Sequence, residues 1–205
     1  MAFLLSAREA LVIAGHFGFA AAVKARAPAT PLWALMLGAQ WLDVLFVPLL
    51  LCGVERLEPV QGARPGAYGG AVIHADYTHS FVGAVLLSTL FGSLFLSRYG
   101  SRSAVTLGLV ALSHWFLDLP LHRADLPVLP GNWGNLPKLG FGVWQYPAVS
   151  AGLELAIVCA GAAMYWRAAR RFAGDVASMK RRARLCGVLV VAAGLLVLTL
   201  NVLGI

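Results

Sequence analysis

Six histidines and acids stand inside or beside apolar segments long enough to cross a membrane. They are His16, Asp43, His79, His114, Asp118 and Glu154. An ionisable side chain in the hydrocarbon region is costly unless it is paired, bound to a metal or facing water. Histidine and aspartate are both common ligands of divalent metals. These residue types therefore indicate a buried polar site, and metal binding is the chemistry they suggest first.

His114 and Asp118 have the most informative spacing in this set. They are four residues apart in the run Ser-His-Trp-Phe-Leu-Asp, which places both side chains on one helix face, about 5–6 Å apart. That spacing suits two ligands of one ion, and it also suits a histidine–aspartate hydrogen bond at a helix end. Pro120 ends the predicted helix, and His122 beyond it is expected to be a loop histidine rather than a ligand.

A second motif, His-Ala-Asp-Tyr-Thr-His-Ser, covers residues 74–80 at the start of an apolar run. His79 faces that run and is a predicted metal ligand, as is His74. Asp76 has two interpretations. It could cap the helix that follows, or it could orient one of the two histidines, because a ligating histidine usually donates its second ring nitrogen to an acid.

The remaining residues of the set are single positions in apolar runs. His16 lies between Gly15 and Gly18, and small residues allow a neighbouring helix to approach closely. Asp43 has no lysine or arginine near it in sequence, so it has to be protonated, hydrogen-bonded or metal-bound. Glu154 is a ligand, a general base or a protonated packing residue, and the sequence does not choose among these.

The composition places this site in a membrane protein. The chain has 205 residues, of which 60% are hydrophobic and 12% charged, with a mean hydropathy of +0.77. A transmembrane helix needs about 20 apolar residues. We predict an all-α polytopic membrane bundle, one domain over 1–205, with about six transmembrane helices. The candidate spans are 3–23, 31–52, 79–97, 103–119, 147–166 and 185–202.

Basic residues predict the orientation of the bundle. Eleven of the 16 lie in the connections after the first, third and fifth spans; these are Lys24, Arg26, Arg98, Arg102, Arg167, Arg170, Arg171, Lys180, Arg181, Arg182 and Arg184. The positive-inside rule places those connections in the cytoplasm and both termini outside. The polar residues then converge in the outer half of the bundle, beneath the two longer loops. Basic runs interleaved with aromatic residues are absent from the sequence, so nucleic acid is not an expected partner.

Taken together, these motifs resemble a known family, the small bacterial inner-membrane proteins called membrane-bound metal-dependent hydrolases, which include the LexA-regulated membrane hydrolases. The family has an early histidine, an aspartate closing the second apolar segment, a Thr-His-Ser stretch, and a Ser-His-x-x-x-Asp stretch followed by Leu-x-x-Pro. The matching positions, within about residues 10 to 130, are His16, Asp43, His74 to Ser80, Ser113 to Asp118 and Leu126 to Pro130.

The chain departs from the family in its second segment, which usually carries a Pro-Asp-x-Asp-His cluster. Here that segment has Asp43 alone. The resemblance implies a divalent metal, zinc before manganese or iron, but a second ion would need His122 or Glu154 as a ligand. It also implies a bacterial inner-membrane location and hydrolysis of an ester or phosphoester.

We therefore expect a zinc-type hydrolase whose substrate is a lipid or a lipid-linked phosphate, with membrane lipids around it. Glu154 and Asp76 are the candidate general bases, and Arg123 is the candidate group for a phosphate oxygen. The main alternative is a divalent-metal or proton transporter or channel that uses the same residues. A bis-histidine haem protein is a third interpretation, which the neighbouring aspartates disfavour.

Overall fold

The computed structural model of the chain describes residues 14–62, 69–174 and 176–203. Within them it is mostly helical, as predicted. The helices are α1 (Ala14–Arg26), α2 (Leu32–Ala39), α3 (Trp41–Leu51), α4 (Phe81–Ser93), α5 (Leu96–Leu121), α6 (Pro147–Ala173) and α7 (Ala177–Leu203). Residues 53–78, one of the two longer loops predicted from the sequence, contain two antiparallel strands, β1 (Arg56–Pro59) and β2 (Ala71–His74).

Three helices of the described chain are long and apolar enough to cross a membrane: Leu96–Leu121, Pro147–Ala173 and Ala177–Thr199. They contain most or all of the predicted spans 103–119, 147–166 and 185–202. The described residues therefore contain the apolar helices of a membrane protein, three or, if the bent pair is one span, four of them; the six predicted spans are not shown. Residues 3–13 of the first predicted span lie outside the described residues.

The predicted spans 31–52 and 79–97 differ from continuous transmembrane helices for local reasons. The first is broken at Gln40 into α2 and α3, which are bent by 49° and count as one span only if taken together. In the second, α4 has 13 residues, well short of the length that a spanning helix needs. Hydropathy identifies both segments as apolar, but it does not detect a bend or the early end of a helix, so it predicted two continuous spans.

Glycines set the close packing of α1 against α6. A Cβ atom on Gly18 would lie 2.5 Å from the carbonyl oxygen of Ile157, and one on Gly161 would collide with the carbonyl group of Gly18. The two backbones therefore touch where neither residue has a side chain, as expected from the glycines beside His16. This contact fixes the position of His16 relative to α6.

Two apolar clusters contact the polar residues, one through Ala39 and the other through Phe46. One consists of buried residues from α1, α2, α4 and α5, namely Ala20, Ala34, Leu35, Ala39, Phe91, Leu107, Val110 and Ala111. The other joins α3 to the hairpin through Phe46, Leu50, Ile73 and Ala75, with Trp144 packed against it. The polar residues thus contact both the helical core and the cluster that joins α3 to the hairpin.

A methyl group at Gly161 tests the α1–α6 contact. We expect Gly161→Ala to destabilise the protein by about 1–3 kcal/mol, because overpacking forces the helices apart, although alanine is the better helix former. Gly152→Ala, also on α6 but with nothing within 4 Å of the added atom, is the matched control. Thermal unfolding in detergent measures both, and equal midpoints for the two variants would contradict the packing described.

Candidate metal centre

Four side chains from three segments bring their ligand atoms together at the centre of the bundle. Asp43 lies in the first turn of α3, His79 just before α4, and His114 and Asp118 one turn apart on α5. All four are buried, with at most 8% of any residue exposed. The structure thus brings together four of the six residues predicted as metal ligands.

The distances within this group are short. The Nε2 atom of His79 lies 3.3 Å from His114 Nε2, 3.4 Å from Asp43 Oδ1 and 3.7 Å from Asp118 Oδ2. The Nε2 atom of His114 lies 3.1 Å from Asp118 Oδ2 and 3.5 Å from Asp43 Oδ1. Two imidazole nitrogens and two carboxylate oxygens therefore face one another.

The other ring nitrogen of His114 determines which of its nitrogens carries the proton. Its Nδ1 atom lies 2.7 Å from the carbonyl oxygen of Ala39. A carbonyl only accepts hydrogen bonds, so Nδ1 is the donor and neutral His114 has its lone pair on Nε2. The break between α2 and α3 makes this contact possible, because the last carbonyls of a helix have no partner within it.

His79 is held in the same way by a longer chain of hydrogen bonds. Its Nδ1 atom lies 2.9 Å from Thr78 Oγ1, and the hydroxyl of Thr78 lies 2.9 and 3.0 Å from the two carboxylate oxygens of Glu55. The hydroxyl donates to Glu55 and accepts from His79 Nδ1, which again leaves the lone pair on Nε2. Glu55 is 1% exposed and also accepts the backbone N–H groups of Tyr77 and Thr78.

Two neutral imidazole lone pairs that face each other at 3.3 Å would repel, and either a proton on one Nε2 atom or a metal ion between the rings relieves that repulsion. A proton could be shared by the imidazoles, but a proton bridges only two atoms, and four of the five distances exceed the usual hydrogen-bond length of about 2.7–3.2 Å. Ligand atoms on a tetrahedral ion with bonds of about 2.0–2.1 Å are about 3.3 Å apart. Asp43, His79 and His114 form one group that could hold a divalent metal ion.

His16 extends the centre from α1. Its Nε2 atom lies 3.1 Å from Asp118 Oδ1, and its ring contacts that of His114 with centroids 4.0 Å apart. The angle at this close contact is poor for a hydrogen bond, so both atoms are buried without a properly oriented partner. His16, His114 and Asp118 form a second group with the spacing of metal ligands.

His122 directly follows α5, as the predicted loop position requires, but its side chain is buried beside the centre. Its Nε2 atom is 3.8 Å from Asp118 Oδ2, and its Nδ1 atom is 2.9 Å from Asp125 Oδ1. Burial lowers the pKa of His122, but the hydrogen bond to Asp125 and the charge of Asp118 outweigh it, so the pKa is raised above its ordinary value. The positive charge of His122 therefore persists to higher pH and offsets those of the nearby carboxylates.

Sequence reasoning did not identify Glu55, Asp125 or the role of Thr78. Each lies in a loop whose path back to the helices is not encoded in hydrophobic periodicity. One signal was available for Thr78, since a ligating histidine needs an acceptor for its second nitrogen and Thr78 is its sequence neighbour.

Four residues predicted for the site lie outside the two metal-ligand groups. His74 ends β2, and its Nε2 atom lies 3.1 Å from Glu58 Oε2 across the hairpin. Asp76 forms an ion pair of 2.7 Å with Lys138, and Ser80 rather than Asp76 caps α4. Arg123 donates to the carbonyl oxygen of Gly69 at 3.0 Å.

Glu154 is the fourth of these residues and is buried on α6. Its Oε2 atom accepts the backbone N–H of Ala14 at 2.7 Å, and its side chain packs beside Gly15. It therefore contacts the turn of α1 that carries His16.

No family model, no curated protein and no solved structure matches this chain. The resemblance to membrane-bound metal-dependent hydrolases thus stays a prediction from the motifs. The geometry establishes a buried His/Asp cluster that could hold a metal ion.

Replacement of Thr78 by valine tests the orientation of His79. Valine removes the acceptor for Nδ1–H, so the imidazole can rotate and the affinity for a divalent metal should fall about 10–100-fold. Thr89→Val is the control, because that hydroxyl is exposed and bonds only to the Val85 carbonyl of its own helix. Competition with a chromophoric chelator measures the affinity, and an unchanged value in Thr78→Val would show that Glu55 and Thr78 do not act on His79.

Proposed function

We propose that the protein is a membrane-embedded, metal-dependent hydrolase of an ester or phosphoester. One observation carries the proposal: the imidazole rings of His79 and His114 are each held through Nδ1, and their Nε2 atoms lie 3.3 Å apart and face two buried carboxylates. His79, His114, Asp43 and Asp118 would hold a divalent ion, most simply zinc because the set combines imidazole with carboxylate. Water activation and polarisation of a phosphoryl or acyl oxygen are the chemistry that such an ion supplies.

The residues around the ligands have separate tasks in this proposal. Ala39 and Thr78 fix the two imidazole rings through their Nδ1 atoms. Glu154, buried beside the His16 turn, is the candidate proton acceptor. Arg123, on the loop that follows α5, is the candidate group for a phosphate oxygen. The ion pair with Lys138 favours a structural role for Asp76 over a role as general base.

The position of the cluster supports a substrate drawn from the membrane. The ligands come from helices with strongly apolar surroundings, and the loops that cover them begin where α5 ends and α6 starts. A lipid head group or a lipid-linked phosphate reaches such a position from the bilayer more directly than a soluble metabolite. In this proposal the protein resides in a bacterial inner membrane with its Lys/Arg-rich end in the cytoplasm.

The apolar residues on the Lys/Arg side of the cluster favour an enzyme over a transporter. Leu107, Val110 and Ala111 precede His114 on α5, and Ala20 follows His16 on α1. Phe91 and Leu35 complete this layer from neighbouring helices. A conduit needs polar side chains through the bundle, whereas this layer separates the ligands from the basic end and suits a site with access from one side.

Metal content tests the proposal directly. We expect a near-stoichiometric divalent metal in detergent-purified protein, lost in His114→Ala and in the isosteric Asp43→Asn. His74→Ala, which removes a histidine outside the cluster, is the matched control and should keep the metal. Plasma mass spectrometry measures the content, with thermal unfolding as the check that each variant folds. Folded wild-type protein without metal after chelator-free purification would contradict the proposal.

Hydrolysis of phospholipids and lipid phosphates by the metal-loaded protein is the second measurement. Turnover should disappear on chelation, return when zinc is added, and be absent from His114→Ala. Turnover that persists in His114→Ala would assign the activity to a contaminant or to another site.

A further inference from the structure

A cavity lies at the Lys/Arg-rich end of the molecule, away from the candidate metal centre. It has a volume of about 340 Å³ and lies between the last turns of α1 and α6 and the first turns of α7. Lys24 on α1, eight residues after His16, lines this cavity. At about 1.5 Å of rise per residue, that places the lysine about 12 Å further along the helix. The two sites therefore share α1 but no side chain named for either.

Two cations line the cavity. Lys24 donates to the carbonyl oxygens of Pro28 and Thr30, both at 2.7 Å, so its ammonium group is fixed in place. An ammonium has three donors, and these bonds use two of them. Arg182, exposed on α7, is the second cation. The described residues that line the cavity include no aspartate or glutamate, so the site favours an anion.

The rest of the cavity wall is apolar. Phe172 and Met179 line it and are 65% and 52% exposed, and Tyr165 and Ala169 contribute further apolar surface. A soluble anion gains nothing from such a wall, whereas an acyl chain buries it and is stabilised in proportion to the area covered. The exposed apolar side chains and the cations together match an amphipathic ligand.

The position of the cavity also matches a lipid head group. It lies at the ends of two helices that are long and apolar enough to cross a membrane, and the last turn of α6 carries Arg170 and Arg171. Basic pockets between helix ends on the cytoplasmic side are typical sites for anionic head groups. The surrounding basic residues raise the local concentration of such lipids, and the cavity selects one molecule.

We propose that this cavity binds one anionic phospholipid, with its phosphate at Lys24 and Arg182 and an acyl chain along Phe172 and Met179. The bound lipid joins α1 to the α6–α7 hairpin at the end of the bundle opposite the loop-covered face. This site goes beyond the proposed hydrolase and does not depend on it.

Native mass spectrometry of the full chain in detergent tests the proposal, with phosphatidylglycerol and phosphatidylcholine of identical acyl chains as probes. We expect one phosphatidylglycerol to be retained at least ten times more tightly than phosphatidylcholine. Each cation near a membrane surface contributes about fivefold to the affinity for an anionic lipid, so Lys24→Gln/Arg182→Gln should weaken phosphatidylglycerol binding about 25-fold. Arg98→Gln/Arg102→Gln removes the same charge from exposed positions of α5 outside the cavity and should have a much smaller effect.

A cavity-filling variant separates shape from charge and keeps the test valid if Lys24→Gln disturbs the end of α1. Ala169→Trp retains both cations and should abolish selective retention, and Arg182→Gln alone alters an exposed residue without risk to the fold. Equal losses in the cavity and control double variants would overturn the proposal, as would displacement of the lipid by inorganic phosphate at comparable concentration. Metal content should be the same in all these variants, which distinguishes failure here from failure of the hydrolase proposal.

Discussion

The arrangement of this molecule follows from the burial of four mutually facing acceptor atoms. Two buried carboxylates that face two imidazoles in an apolar interior need a positive charge beside them, which protonated histidine or a metal ion could supply. The partners of the two Nδ1 atoms leave both Nε2 atoms directed at the carboxylates, which is the arrangement that a metal ion could use. Ala39 and Thr78 hold the Nδ1 protons away from the centre, so the lone pairs stay directed inward.

Two buried acids, Glu55 and Asp125, also connect loops to one another and to the cluster. The same hydrogen bonds therefore orient the histidines and hold the loops in place. Glu55 accepts hydrogen bonds from Tyr77 and Thr78 and thereby joins the start of the hairpin to the segment before α4. Asp125 holds His122 with one oxygen and the backbone N–H of Ile73 with the other. A buried carboxylate without hydrogen bonds costs several kcal/mol. Here both carboxylates accept hydrogen bonds, and these bonds fix the loops beside the candidate metal centre.

The sequence predicted which polar residues come together better than it predicted the helices that carry them. His79, His114 and Asp118 stood out because ionisable residues in apolar runs need a partner, and that argument does not depend on topology. The continuity of the spans does depend on local events, namely the bend at Gln40 and the early end of α4. His122 was assigned to a loop, which is where its backbone lies, but the turn back to Asp125 buries its side chain.

The number of lone pairs limits how many ions the two groups could hold. The two groups with metal-ligand spacing share His114, whose Nδ1 is committed to Ala39, so this imidazole has one lone pair and can ligate one ion. Asp118 can serve both groups, because Oδ1 faces His16 and Oδ2 faces His114. An ion on the Oδ2 side has His79, His114 and Asp43 as further ligands. An ion on the Oδ1 side would have only His16 and Asp118 as ligands, which is fewer than the three or four protein ligands of a stable zinc site. The two groups together could therefore hold one ion between α3, α5 and the segment before α4, with His16 beside Asp118.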